Sequence, residues 1–325
     1  MKGSVLKKFL CTCLVTAAAF AATTISASAC TTIYVGGDLV EEGTPFVART
    51  EDYGSDYNKL WFISESGKWK QGDHYVGCPE YGPFEWDFTH DSYRFTYFTN
   101  DIYYDGICPE CGEKADHYSY TEFGTNEKGV SVSATETLYG NEKVTEADPY
   151  RDAEWAEANK SERIGIEETD IPTIILAEAS SAREGVKLLL DIYENYGCVY
   201  ASGVFICDKD EVWYVENCSG TQYVAIKLNN NMIFLEPNMA VIGRVDLDDE
   251  NVIASKDLIA VAKKAGTFVG DEAKNIIDFR ASYARISEKM DQRMIDGLNY
   301  LNATYKYDSD ALVADNTKFT ISNLD

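Results

Sequence analysis

Histidine is scarce in this chain: the 325 residues contain three, and His74, His90 and His117 lie in no recognisable catalytic motif. A nucleophilic cysteine or serine commonly relies on an adjacent histidine as its base. The sequence therefore disfavours a site built on a cysteine and a histidine, and a nucleophile in this chain needs another base.

Basic residues are also few, since 29 Lys and Arg against 54 Asp and Glu give a formal net charge of −25. Such a charge argues against nucleic acid or an anionic membrane as a partner, because like charges repel. Beyond the first 29 residues, no window reaches the roughly 18 uninterrupted apolar residues that a membrane-spanning helix needs. There is no repeat and no linker rich in proline or glycine, which fits one large domain or two small ones.

The first 29 residues have the pattern of an export signal. Three lysines precede a mostly apolar stretch between residues 9 and 22, and small residues lead up to Ala29. This order is typical of a cleaved signal peptide. We therefore expect a signal peptide at residues 1–29, a mature domain at 30–325, and a protein that is secreted or at the cell surface.

The number of cysteines in the expected mature chain is odd and singles out one residue. The cysteines after the signal are Cys30, Cys78, Cys108, Cys111, Cys198, Cys207 and Cys218. An odd number leaves at least one thiol unpaired within the chain. Cys30 is the obvious candidate, while Cys207 and Cys218 lie in predicted strands and fit buried thiols.

Cys108 and Cys111 belong to a Cys-Pro-Glu-Cys-Gly segment that resembles a zinc knuckle. His117 or Cys78 could complete such a zinc site. One knuckle without a second pair is weak evidence, and an exported location favours disulfides over zinc. We therefore expect neither a resident metal nor another cofactor.

Cleavage after Ala29 would leave Cys30 as the first residue. It would then carry a thiol and a free α-amine, whose reference pKa of about 7.7–8.0 suits a base near neutral pH. A nucleophile with its own base needs no histidine. Two other interpretations of Cys30 remain open here: a lipidated cysteine, although the usual leucine three residues earlier is lacking, and a purely structural one.

The hydrophobic pattern indicates an α+β protein. Residues 32–35 and 45–48 read as the two strands of a hairpin. In the predicted register, the residue numbers of two facing positions add up to about 80. This register places Arg49 opposite Thr31 and beside Cys30, with Asp52 just beyond. Ser181 with Glu184 forms a capping box that begins a helix ending near Gly197.

Four strands then follow as a meander between residues 202 and 238. Segments 255–264 and 271–289 read as helices. Strand meanders with separate helical blocks favour antiparallel sheets over a doubly wound parallel fold.

Several blocks resemble a known family: "CTTIYVGG", "VARTED", "GTNEKGVSVSATET", "DEVWYVENCSGTQYVA" and "LEPNMAVIGRVDLDD". In this order, from Cys30 to about Phe279, they are similar to the bacterial cysteine dipeptidases of the dipeptidase A family. These are N-terminal-nucleophile hydrolases related to penicillin V acylase and bile salt hydrolase. The resemblance implies an αββα sandwich of antiparallel sheets, and it implies that a C-terminal part of the family's length is missing here.

The resemblance also implies a set of site residues. Cys30 would be the nucleophile, Arg49 would lower the pKa of its thiol, and Asp52 would orient the α-amine. Asn238 would donate to the oxyanion or hold the substrate. Asn126 fits a turn residue better than a catalytic one, and Thr135-Glu136 stands where the acylase relatives have an oxyanion-hole asparagine.

These implications lead to an exported peptidase that hydrolyses dipeptides through Cys30, with a short peptide as its partner. One alternative is an amidase of the same superfamily that acts on an N-acyl amino acid or a cell-wall fragment. The other is a non-catalytic lipoprotein anchored at Cys30.

Overall fold

Sixteen short strands form the framework of the described part of the chain. The computed structural model describes residues 30–41, 43–51, 59–77, 84–100, 121–136, 138–285 and 292–301. The strands in these residues are β1 (Thr31–Val35), β2 (Phe46–Thr50), β3 (Lys59–Ser64), β4 (His74–Val76), β5 (Glu85–Asp87), β6 (Phe95–Asn100), β7 (Phe123–Asn126), β8 (Ser131–Glu136), β9 (Ser202–Cys207), β10 (Val212–Asn217), β11 (Tyr223–Lys227), β12 (Ile233–Glu236), β13 (Arg244–Asp246), β14 (Val252–Ala254), β15 (Gly270–Asp271) and β16 (Ile276–Asp278).

The described helices bury apolar residues against the sheets, and the helix Ile171–Glu178 is buried at every position. They are α1 (Glu142–Ala147), α2 (Ala153–Asn159), α3 (Ile171–Glu178), α4 (Ala182–Asn195), α5 (Leu258–Ala265), α6 (Phe279–Tyr283) and α7 (Gln292–Leu301), with 3-10 turns at Gly37–Leu39 and Glu272–Lys274. None of the helices in the described ranges is long and apolar enough to cross a membrane.

Two antiparallel sheets face each other. The larger sheet has the strand order β14-β11-β10-β9-β8-β7-β6-β3, and the smaller has the order β12-β1-β2. Between them lies an apolar core in which Phe205 and Tyr214 of the larger sheet meet Phe234 of the smaller one at ring-centroid distances of 5.6 and 4.7 Å. The fold is therefore α+β with antiparallel sheets, as predicted.

Helices cover the outer faces of both sheets. Helices α3 and α4 pack against the outer face of the larger sheet, where Trp213 and Val215 are fully buried. Helix α7 lies on the outer face of the smaller sheet, and Gly297 approaches Leu235 there. The layer order is thus helix, sheet, sheet, helix, which is the αββα order that the resemblance implies.

Helix α4 begins and ends as its sequence predicts. Ser181 is its N-cap, and the hydroxyl of Ser181 accepts a hydrogen bond from the backbone N–H of Glu184. The carboxylate of Glu184 reaches back to Ser180, whose N–H and hydroxyl donate to it at 2.8 and 2.5 Å. Gly197 follows with φ +79°, a conformation that favours glycine at a helix end.

Three sequence-based expectations need correction. The hairpin of β1 and β2 pairs Thr32 with Arg49, so facing positions sum to 81 and the predicted register is off by one residue. The fourth meander strand, β12, pairs with β1 in the smaller sheet rather than continuing the larger one. Residues 271–289 do not form one helix, because β15, a 3-10 turn and β16 occupy the start of this segment and only Phe279–Tyr283 is α-helical in its described part.

Candidate active site

Cys30 immediately precedes β1 and is 7% exposed. Because successive side chains of a strand point to opposite faces, Thr32 of β1 and its partner Arg49 of β2 share the face that looks toward the larger sheet. From there Arg49 Nη2 donates to Cys30 Sγ at 3.4 Å. The hairpin therefore brings the thiol and the guanidinium together, as its pattern predicts.

Arg49 is fixed from the opposite sheet. Its Nη1 donates to the carbonyl oxygen of Ala134 at 2.7 Å and to that of Glu122 at 3.2 Å. Its Nη2 lies 3.9 Å from Oε1 of Glu168, whose side chain is 6% exposed. The guanidinium thus bridges the two sheets and holds a positive charge against the thiol.

Burial decides the protonation state of the thiol. Desolvation raises the pKa of Cys30 above its ordinary value, and the charge and hydrogen bond of Arg49 only partly counter this. Burial would lower the pKa of Arg49, but the neighbouring Cys30 and Glu168 raise it. Arg49 thus acts on the thiol in the predicted direction, yet the net shift is upward. A neutral thiol at pH 7 needs a base before it can attack a carbonyl.

Three charged side chains lie next to this pair. Lys59 donates to Oε1 and Oε2 of Glu122 at 2.5 and 2.7 Å and also contacts Glu51. Burial, together with a hydrogen bond to Glu51, raises the pKa of Glu122 to about 8. Burial also acts to raise the pKa of Glu51, but hydrogen bonds from Glu122 and Lys59 lower it overall. The proton that these two carboxyls share therefore favours Glu122 over Glu51.

Asn238 reaches the site because β12 is a neighbour of β1. The pairing of Thr32 with Glu236 places the end of β12 beside Cys30. Asn238 has φ +61°, and its backbone N–H donates to Oε1 of Glu236 at 2.8 Å. Its amide nitrogen Nδ2 is buried, with no hydrogen-bond partner in the described part of the chain.

Arg293 of α7 ties this corner together, and sequence reasoning missed it. Its Nη1 donates to the Cys30 carbonyl at 2.8 Å, to Thr31 Oγ1 at 3.0 Å and to Asn238 Oδ1 at 2.9 Å, while Nη2 donates to the Pro237 carbonyl at 2.8 Å. Arginine has no acceptor atom, so the contact fixes Oδ1 of Asn238 toward Arg293 and Nδ2 away from it. Arg293 lies outside the sequence blocks that resemble the family, and a single arginine forms no local pattern that would predict a site residue.

The other predicted residues have different outcomes. Asp52, Cys108 and Cys111 lie outside the described residues. Asn126 is a turn residue as predicted, since its Oδ1 accepts from the N–H groups of Lys128 and Val130 at 3.0 Å.

Among the cysteines within the described ranges, Cys30, Cys198, Cys207 and Cys218 are free thiols, and Cys218 follows β10 rather than lying in it. Cys207 lies in β9 as predicted but is only partly buried. In the same ranges, no cluster of three or more His, Cys, Asp or Glu side chains could hold a metal ion.

A cavity of about 450 Å³ lies beside Arg49, between β2 and the inner face of the larger sheet. Its size falls within the roughly 300–1,000 Å³ of small-molecule sites. It is lined by Val47, Ala48, Arg49, Phe123, Gly124, Thr125, Ser131, Val132, Ser133, Phe205 and Cys207. A small organic molecule in this cavity would contact the residue that holds the thiol.

Several known proteins are similar to this chain in sequence. The profile of a family described as "Peptidase family C69" matches residues 29–305. A "Probable dipeptidase B" of Streptococcus pyogenes serotype M6 is 33% identical over 247 residues, covering 76% of this chain and 44% of that protein. A "Probable dipeptidase" of Salmonella dublin is 32% identical over 262 residues, covering 79% and 53% respectively. The chain therefore spans about half the length of these curated relatives.

Among solved structures, that of penicillin V acylase from Agrobacterium tumefaciens aligns with 64% of this chain, and the alignment covers 49% of the acylase chain. The identity is 15% and the TM-score is 0.35.

Proposed function

The chain belongs to peptidase family C69, and on that premise we propose that it hydrolyses dipeptides with the Cys30 thiol as nucleophile. The observation that carries the proposal is the 3.4 Å contact between Arg49 Nη2 and Cys30 Sγ at the start of β1. A buried thiol held against a fixed guanidinium is arranged for chemistry rather than for packing alone.

The base in this proposal is the α-amine of Cys30, set free when residues 1–29 are removed. The amine takes the thiol proton as sulfur attacks the scissile carbonyl, and the resulting ammonium returns that proton to the leaving amine. Water then attacks the acyl-enzyme, the α-amine accepts a proton from the water, and the thiol is restored as the carboxylic acid leaves. The raised pKa of Cys30 supports this scheme because a neutral thiol needs such a base.

Asn238 is proposed to stabilise the charge that develops on the carbonyl oxygen. Its Nδ2 is a buried donor without a partner in the described residues, and Arg293 fixes the orientation of the amide. A preorganised donor of this kind is worth roughly 10²–10³ in kcat. Asp52 is proposed to hold the α-amine, as the resemblance implies.

The burial of Cys30 also bears on the lipoprotein alternative. A lipid attached to the thiol would have to extend from a buried position, since Cys30 is only 7% exposed. It would also displace the hydrogen bond from Arg49. We therefore prefer the nucleophile over the anchor, and we propose that export and signal removal at Ala29 produce the active protein.

Retention of one residue ahead of Cys30 tests the proposal. We expect a chain that begins at Cys30 to cleave dipeptides. The same chain with Ala29 retained should be inactive, because the α-amine of Cys30 has then become part of a peptide bond. Both N-termini are confirmed by mass spectrometry, which also detects a diacylglycerol group. Cys30→Ala is the control that lacks the thiol, and Cys30→Ser shows whether a hydroxyl can replace it.

Two outcomes contradict the proposal. Equal rates from the uncut Ala29 chain would exclude the amine as base, and wild-type turnover by Cys30→Ala would exclude the thiol.

A further inference from the structure

The larger sheet extends past the edge of the smaller one. Strand β2 is the edge of the three-stranded sheet, while the larger sheet continues through β7 and β6 to β3. On this overhang, one line of paired residues runs from Trp61 to Phe98 to Phe123, and then through Ser133 to Phe205. Directly paired residues share one face of a sheet. The line therefore lies on the inner face, which Phe205 identifies by its contact with Phe234.

The first three members form an exposed aromatic row, defined here as Trp61, Phe98 and Phe123. Trp61 is 54% exposed and Phe123 is 41% exposed. The rings of Phe98 and Phe123 are stacked, with centroids 4.5 Å apart and planes 12° from parallel. A contiguous aromatic surface of this kind marks a place where an apolar partner binds.

This row runs directly into the cavity beside Arg49. Phe123 is both the end of the row and part of the cavity wall, and Arg49 forms the wall on the opposite side. The same guanidinium lies 3.4 Å from Cys30 Sγ. A peptide whose carbonyl lies at the thiol would thus lie beside Arg49, and the cavity that Arg49 lines has Phe123 of the row in its other wall.

The chemistry of the lining selects the kind of side chain. Of the described residues that line the cavity, Arg49 alone is charged. Its Nη1 and Nη2 already bind Cys30 Sγ and the carbonyls of Glu122 and Ala134, and its charge is paired with Glu168 at 3.9 Å. Its Nε is buried and has no hydrogen-bond partner among the described residues. The hydroxyls of Thr125 and Ser131 bond to each other at 2.7 Å. A charged substrate side chain would lose its hydration here without finding a counterion, whereas an apolar one gains contact area.

We propose that the aromatic row and the adjoining cavity are the subsite for a large apolar or aromatic side chain of the dipeptide, next to the bond that is cleaved. The proposal rests on the dipeptidase function proposed above and names the substrates that this site prefers. Among dipeptides, those with phenylalanine or leucine are cleaved better than those with alanine, aspartate or lysine at the same position.

Matched threonine variants test the subsite. Phe123→Thr and Trp61→Thr remove rings from the row, and threonine keeps the strand preference of the position. Phe46→Thr is the control: it removes a ring of similar exposure, 47%, from β2, on the face opposite Val47 and Arg49. Values of kcat/KM are measured for Phe-Ala, Ala-Phe and Ala-Ala, with thermal unfolding to show that each variant is folded.

We expect each row variant to lower the preference for the phenylalanine dipeptide over Ala-Ala about tenfold, as expected for lost apolar contacts in a specificity pocket. The fall in kcat/KM should affect either Phe-Ala or Ala-Phe, and the affected dipeptide shows on which side of the scissile bond the bound side chain lies. Phe46→Thr should leave the ratio of the phenylalanine dipeptide to Ala-Ala unchanged.

If the wild-type protein cleaves none of the three dipeptides, the proposed function itself fails. If it cleaves them and both row variants keep the wild-type ratio, only the subsite is overturned. Sedimentation velocity is run on the same proteins. A wild-type dimer that becomes a monomer in the row variants, with an unchanged ratio, would assign the row to a contact between copies and would likewise overturn the subsite.

Discussion

Asn238 has an unusual backbone conformation and a side chain with a proposed role in the site. Its φ of +61° lies in the left-handed region, where asparagine is tolerated better than most residues and glycine best. Its amide accepts from Arg293 and leaves Nδ2 pointing away as an unused donor within the described structure. Substitutions at this position can therefore separate conformation from chemistry.

We expect Asn238→Gly to lower kcat about 100-fold while the backbone keeps its conformation, because glycine tolerates positive φ but removes the Nδ2 donor together with the Oδ1 that accepts from Arg293. Asn238→Ala should lose the same activity and also about 1 kcal/mol of stability, since alanine is strained at positive φ. Steady-state kinetics and thermal unfolding of both variants check this. Full activity in Asn238→Gly would mean that the amide is not the oxyanion donor.

Glu211 joins one helix to two strands of the larger sheet. Its carboxylate accepts from Arg183 of α4 at 2.7 and 3.1 Å, from Trp213 of β10 at 2.8 Å and from Lys227 of β11 at 3.1 Å. The hydrogen bond from Arg183 contributes most to holding the pKa of Glu211 to about 2, below its ordinary 4.5, while partial burial acts the other way. A depressed pKa means that the ionised form is favoured in the folded state.

The stabilisation by Glu211 should therefore be present above pH 4.5 and be lost as the pH falls toward 2. We expect Glu211→Gln to be less stable than wild type by about 1 kcal/mol at pH 7, a modest figure because solvent screens a partly exposed cluster. Urea unfolding of both proteins from pH 7 to pH 2.5 measures the difference. A constant difference across this range would show that the charge of Glu211 is not its cause.

Arg293 connects three parts of the chain that are far apart in sequence. From helix α7 it binds the Cys30 carbonyl, 263 positions away, and Asn238, 55 positions away. The proposed nucleophile, the proposed oxyanion donor and the last described helix thus share one guanidinium. In the proposed site its role is positioning, since it contacts the backbone and the amide of these residues rather than the Cys30 sulfur.

We expect Arg293→Lys to reduce kcat at least tenfold while the protein stays folded, because one ammonium group cannot reproduce the planar fork that reaches four oxygens. The matched control is Arg285→Lys, where the exposed guanidinium stacks on Tyr139 at 4.2 Å. Circular dichroism checks the fold, and kinetics on one dipeptide measure the rate. Equal rates in both variants would leave Arg293 without a part in catalysis.

Local pattern predicted much of the fold. The apolar runs of β9 to β11, bounded by turns, and the Ser181 cap of α4 follow from interactions within a few residues, and the structure has them. The failures concern segments whose state depends on distant partners. Residues 276–278 have a pattern compatible with a helix, but they pair with β13 as a strand because that edge offers hydrogen bonds.

The meeting of Cys30 and Arg49 is readable from the chain, because a hairpin register follows from strand alternation and loop length, here to within one residue. Asn238 and Arg293 are not readable in this way. They reach Cys30 because β12 leaves the meander to pair with β1 and because α7 packs on that sheet.

The aromatic row likewise exists as a surface only because one sheet is wider than the other. Such pairings depend on the burial of whole sheet faces and join segments that lie more than 50 positions apart in the chain. No short window of sequence carries that information.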